Sequence, residues 1–184
     1  MGSIATTVDE QLKILTDRGM TFDYEEAKLK EILLDIGYYK LGFYWHHFQK
    51  DRNHNFLEGT KISDVIKLYY LDVNLKSVLA KAINRIEVNF KTKLIYFGSN
   101  KYKDNPFWFC DTTLIEDYFT DEFPRVYTNK FINDNKPIKN HHKKYPKQTY
   151  APAWKTLEFL SLGTIIVLYS CLKDINLKKE IALC

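Results

Sequence analysis

The sequence predicts an all-α fold: a helical bundle built on one long central helix, with a basic loop before the last clear helix. Three observations carry this. Apolar residues recur at three- and four-residue spacing along most of the 184 residues. One stretch, 63–97, contains neither proline nor glycine. No period-two run is long enough for a sheet, and only residues 43–48 are open to either reading. With 45% hydrophobic and 15% aromatic residues the chain can bury a substantial core, and 1–184 is expected to form a single domain.

Each element has its own local cause. Thr7 and Glu10 have capping-box spacing, and Val8, Leu12 and Leu15 follow at helical spacing until Gly19 stops the run. Asp23 with Glu26 predicts a second start; Leu29, Ile32, Leu33 and Ile36 then form one stripe, ended by Gly37. Along 63–97, Val65, Ile66, Tyr69, Val73, Leu79, Ile83, Ile86, Phe90 and Leu94 mark the long helix. At a rise of about 1.5 Å per residue it spans roughly 50 Å. Residues 98–105 read as a polar turn and Pro106-Phe107-Trp108-Phe109 as an aromatic anchor, followed by a short helix over 111–126 broken at Pro124. Residues 128–152 are rich in Asn, Lys and Pro and read as the least ordered part. Pro152 opens the last clear helix, 155–173. Residues 177–184 begin another amphipathic pattern that stops without a cap, as expected of a chain cut short within a helix.

Composition narrows the function classes. The net charge is only +4, but 136–147 holds five lysines, two histidines and no acid, a surface suited to phosphates. Lys139, His141, His142, Lys143, Lys144 and Lys147 are therefore the nucleic-acid-contact candidates, with RNA as the partner. Cys110, Cys171 and Cys184 are odd in number and lack CxxC spacing, so they read as reduced thiols of a cytoplasmic protein. No basic start with an apolar run behind it indicates secretion, and the most apolar run, 157–172, is too short for a comfortable membrane span. Walker, GxSxG, HExxH and dinucleotide-binding patterns are absent, and neither a metal nor a small-molecule cofactor is expected.

The segment IGYYKLGFYWHHF, 36–48, crowds aromatic and imidazole rings around two glycines, which suits either a packing corner or a site. His46 and His47 are adjacent and cannot point the same way in a helix or strand, so a metal site using both is disfavoured. One suits a core histidine and the other a proton donor or phosphate contact. Glu87 and Lys91 are i,i+4 neighbours and a favourable pair. Arg85 reads either as a solvated residue or as an internal charge needing a partner. Glu158 lies on an otherwise apolar face; Arg85 or a histidine of the aromatic corner is expected to pair with it. Metal-free hydrolysis from such a set suits RNA, whose 2′-hydroxyl supplies the nucleophile.

Several segments together resemble the Abi family, the bacterial abortive-infection proteins of the AbiD and AbiF type. They are DEQLKILTDRGM, IGYYKLGFYWHHF, LYYLDVNLKSVLAKAINRIEVNFKTKL, NPFWF and APAWKTLEFLSLGTIIVLYSCL, in matching order over nearly the whole chain. The resemblance implies a HEPN-like helical domain, a role in stopping phage multiplication by shutting down the infected cell, metal-independent ribonuclease chemistry and a homodimer. It also marks Tyr38, Tyr39, Arg85, Glu87, Trp154, Glu158 and Gly163, most of them structural. Trp154 is expected to anchor the start of its helix and Gly163 to allow a close helix–helix contact. The family's Arg-x(4–6)-His motif is expected just after RIEV. Here Lys91-Thr92 stands in its place, Tyr96 and Phe97 fall where the His belongs, and none of the four arginines has a His at that separation. Catalysis would then move to His46, His47 or the His141/His142 segment, with Arg85, Lys91 and Glu158 as the other candidate groups. The alternative is a non-enzymatic helical module that binds RNA or a protein.

Overall fold

The computed structural model describes residues 4–183. The fold is all-α: the described residues form ten α-helices and three short 3-10 turns and make only isolated β-bridges. Two compact units divide the chain, Met1–Ala80 and Lys81–Cys184.

The first unit contains α1 (Val8–Asp17), α2 (Glu26–Asp35), α3 (Tyr38–Trp45) and the start of α4 (Ile62–Lys101). Its core gathers Leu15, Leu29, Leu41, Trp45, Phe56, Ile62 and Val65. The Thr7–Glu10 capping box forms as read: Thr7 Oγ1 accepts from the Glu10 N–H, and the Glu10 carboxylate accepts from the Thr7 N–H at 2.7 Å. Asp23 does not start α2, whose N-cap is Glu25. Its carboxylate instead accepts from the Ser63 N–H at 3.2 Å, satisfying a free donor in the first turn of α4. Gly37 ends one helix and precedes the next, with φ +92 that other residues rarely adopt. Residues 43–48 settle as helix, α3 running into a 3-10 turn at His46–Phe48.

In the second unit the end of α4 joins α5 (Asp117–Val126), α6 (Asn129–Asp134), α7 (Lys136–Lys144), α8 (Ala153–Thr156), α9 (Leu162–Cys171) and α10 (Ile175–Leu183). Trp108, Phe109, Phe123, Leu157, Ile165 and Leu168 fill its core. Gly98 is required here: a Cβ on it would fall 2.5 Å from the Trp108 indole. Pro124 does not break α5: it stands inside the helix, two residues before its end at Val126, and leaves the carbonyl of Thr120 without its usual backbone donor.

The expected basic loop is instead helical. Residues 136–144 form α7, with Pro137 in its first turn, where a missing N–H costs nothing, and with Ile138 and His141 buried. A single apolar residue within nine leaves no periodicity to read. The expected helix 155–173 is three pieces: α8, a 3-10 turn at Leu157–Phe159, and α9, capped by Ser161 accepting from the Thr164 N–H at 3.1 Å. α4 itself extends the predicted 63–97 at both ends. Every residue over 73–86 is exposed, including Leu75, Val78, Leu79, Ile83 and Ile86 on one face. No helix of the described residues is long and apolar enough to cross a membrane. Cys184, read as a free thiol, lies outside the described residues.

Candidate functional site

The first unit holds a cavity of about 820 Å3 lined by Arg18, Tyr38, Tyr39, Phe43, His46, Gln49 and His54, among others. Local structure explains how these residues meet. Arg18 caps the C-terminal end of α1 just before the turn at Gly19. Its carbonyl accepts from the Phe56 N–H at 2.8 Å, tying the end of α1 to the loop over 49–56. Its Nη1 donates to the Tyr38 hydroxyl at 3.3 Å, and the edge of Tyr38 meets Trp45 with ring centroids 4.9 Å apart. Burial raises the Tyr38 phenol above its ordinary value, with the Arg18 charge acting against it, so this hydroxyl stays protonated and can donate.

The loop over 49–56 delivers the second histidine. Gln49 and Phe56 pair across it, Lys50 N–H donates to the Asn55 carbonyl at 2.8 Å, and Leu57 N–H donates to Phe48 at 2.8 Å. Inside, the Asp51 carboxylate accepts from the Asn53 N–H, the Asn55 N–H and the Asn55 side-chain amide at 2.9, 3.1 and 2.9 Å. Those bonds, the Asn55 amide foremost, hold Asp51 below the usual carboxylate range. His54 pays for the tight loop with φ 65, the one non-glycine in the left-handed region among the described residues.

Gln49 then joins the two imidazoles: its Oε1 lies 3.3 Å from His46 Nδ1 and 3.2 Å from His54 Nδ1. A carbonyl oxygen accepts only, so in this amide orientation both rings donate through Nδ1–H, and each Nε2 is left out of that bond. Arg18, His46 and His54 thus surround one aromatic-walled cavity with a fixed cation and two proton-transfer groups.

Of the candidates read from the sequence, His46, Tyr38 and Tyr39 line this cavity. His47 is exposed, its ring centroid 6.2 Å from that of His46, and it is not among the residues that line the cavity. Arg18 and His54 belong to no catalytic motif in the sequence; Arg18 lies within DEQLKILTDRGM, one of the segments that carry the family resemblance, and His54 within none of them. Glu87 and Lys91 pair at 2.6 Å with the lysine buried. Arg85 and Glu158 are both exposed, and neither makes a hydrogen bond or ion pair among the described residues. The expected pairing of Glu158 with Arg85 or a histidine is therefore absent, because Glu158 sits on the outer side of its 3-10 turn.

In the second unit, Lys139, Lys143, Lys144 and Lys147 are exposed as a basic surface. His141 is not available to a phosphate: it is buried, and its Nε2 lies 2.7 Å from Gln148 Oε1. His142 Nε2 lies 2.9 Å from the Tyr127 hydroxyl, which also accepts from the Ala151 N–H. Trp154 is half exposed and no anchor, the buried neighbours being Pro152 and Ala153. Gly163 meets only Ser161 Oγ at 3.8 Å, so no close helix contact requires it. Among the described residues no three His, Cys, Asp or Glu side chains gather as a metal site.

A family model described as Abi-like protein matches residues 31–184, which leaves Arg18 ahead of the matched stretch. No curated protein and no solved structure matches the chain.

Proposed function

The chain belongs to the Abi-like protein family, whose role is phage defence by abortive infection, and from that premise we propose that it cleaves RNA in the cavity of Arg18, His46 and His54. One observation carries the reading: two imidazoles bridged by a single amide oxygen face the same space as a guanidinium. Cleavage of RNA needs little more. One imidazole Nε2 takes the 2′-hydroxyl proton, the freed oxygen attacks phosphorus, and the other ring, as imidazolium, gives a proton to the departing 5′-oxygen. The products are a 2′,3′-cyclic phosphate and a 5′-hydroxyl. Arg18 would hold the negative charge that gathers on the phosphoryl oxygens, in the fork geometry that suits a phosphate. Phe43 and Tyr39, both largely exposed on the cavity wall, offer faces for unstacked bases. Within the second unit, the exposed lysines Lys139, Lys143, Lys144 and Lys147 offer a sequence-independent attraction of their own for phosphates.

The test is incubation with bacterial RNA in EDTA, with the product ends mapped. Cleavage to 2′,3′-cyclic phosphates, lost in His46→Ala and in His54→Ala, is the expected result. A folded protein that leaves RNA intact, or whose cleavage survives both substitutions, overturns the reading.

A second reading, a helical interaction module, is favoured by the exposed face of α4. We propose a second copy of the chain as its occupant. Leu71, Leu75, Val78, Leu79, Ile83 and Ile86 recur at three- and four-residue spacing, so two such stripes laid antiparallel match side chain to side chain. All six are between 49% and 64% exposed, apolar surface that a second copy would remove from water. Sedimentation should show a dimer that Leu75→Lys with Ile83→Lys converts to monomer; a wild-type chain that is monomeric at high concentration removes the proposal.

A further inference from the structure

We propose that the cavity of the second unit binds an unpaired keto nucleobase, uracil or guanine, of RNA. The inference rests on the RNA reading above and adds the kind of base that is recognised. The cavity has a volume of about 400 Å3 and is lined by Asn105, Phe107, Cys110, Asp111, Gln148 and Tyr150 among others. That lies within the range of small-molecule sites. Phe107 and Tyr150 provide aromatic faces, and Tyr150 is steadied by edge contacts to Phe123 and Tyr127 at 5.3 and 5.0 Å.

The polar groups are set in advance. Asn105 Oδ1 accepts from the Phe107 N–H at 3.0 Å and its Nδ2 donates to Asp111 Oδ2 at 2.7 Å, so the amide has one orientation and one N–H left over. Asp111 Oδ1 is occupied by the Thr113 N–H and hydroxyl at 2.9 and 2.6 Å, while Oδ2 keeps a lone pair. The Thr113 bonds, side chain first, hold the Asp111 carboxyl below its usual range, so it presents a charged acceptor. On the other side, His141 Nε2 and Gln148 Oε1 are 2.7 Å apart. Burial lowers the His141 pKa, keeping the ring neutral; its Nε2–H donates, and the Gln148 amide N–H2 is left to donate in turn. His141 Nδ1 is buried without a partner, so the ring's single polar bond is the one that orients Gln148. Burial also raises the Cys110 thiol, which adds no second negative charge.

The available set is a donor, a charged acceptor and a donor. Uracil presents its complement as O4, N3–H and O2, and guanine presents it in part as O6 and N1–H. Adenine and cytosine place a ring-nitrogen lone pair where those bases carry the central N–H, and the carboxylate repels it. Lys147, exposed and adjacent to Gln148 in the chain, would meet the attached phosphate.

Calorimetric titration of the full chain with UMP, GMP, AMP, CMP and 3-methyl-UMP tests this, beside hexaribonucleotides of U or A. UMP and GMP should bind roughly tenfold tighter than AMP and CMP, and 3-methyl-UMP, which lacks the N–H, should not bind. Asp111→Asn should erase the preference, and Gln148→Leu, in an exposed loop, should weaken UMP several-fold without unfolding the chain. Equal affinity for all four nucleotides, or none, overturns the inference. A preference seen with free nucleotides but not with the hexamers overturns RNA as the source of the base. RNA cleavage that persists without any keto preference removes this pocket alone. Keto-base binding in a chain that neither cuts nor binds RNA removes the RNA reading instead.

Discussion

The two cavities hold their polar groups by opposite means. In the second unit each working atom is backed by a partner: Asn105 by a backbone N–H, Asp111 by Thr113, Gln148 by a buried histidine. In the first unit, His46 and His54 are exposed and share one acceptor, Gln49 Oε1, at long hydrogen-bond distances. A preorganised set suits recognition, since little ordering is needed when the ligand arrives. A loosely held pair of imidazoles suits proton transfer, in which each ring must bind and release a proton during turnover.

The contrast can be broken at several points. The largest expected effect is catalytic: His46→Ala or His54→Ala should each lower RNA cleavage by about 10²–10⁴-fold with thermal stability unchanged, as read by initial rates and melting. Next, Gly98→Ala forces a methyl into Trp108 and should cost about 1–3 kcal/mol in chemical denaturation, with the second unit unfolding first. Asp51→Ala removes three bonds that shape the loop carrying His54. It should reduce cleavage about tenfold or more while leaving UMP affinity untouched; equal losses in both assays would erase the distinction between the cavities.

The smallest effect is a pH dependence. Burial lowers the His141 pKa in the folded chain, so the unfolded chain binds the proton more readily. Its contribution to stability is complete above the unfolded value of about 6.5 and is lost as pH falls from there through the folded value. Wild-type melting temperature should decline over that interval, and His141→Gln should flatten the decline. A slope unchanged by the substitution would mean that His141 is not the group responsible.

Much of the fold was legible because it rests on local signals. The Thr7–Glu10 box, the stops at Gly19 and Gly37, and the uninterrupted helix α4 all follow from residues within one or two turns. α7 was not legible, since its helix offers one apolar residue and depends on burial of Ile138 and His141 for its place. The break between α8 and α9 was hidden by an apolar run that looks continuous, where Ser161 supplies a cap only once the chain has turned. The candidate site was half legible. His46 stands in a conspicuous aromatic segment, but His54 reaches it only through a loop closed by Asp51, and Arg18 arrives from the far end of α1. Pairings made by tertiary approach leave no periodicity. The same cause misdirected Glu158, whose apolar surroundings in sequence become an outward-facing turn in the fold.

The left-handed backbone at His54 has an evolutionary consequence. Glycine would occupy that conformation more comfortably than any residue with a side chain, by about 1 kcal/mol. Drift toward greater robustness therefore pulls position 54 away from histidine, and only selection for what the imidazole does can keep it there. Under the RNA-cleavage reading, His54→Gly is a variant that melts higher and cleaves poorly, a substitution by which a lethal defence protein could be disarmed without being lost.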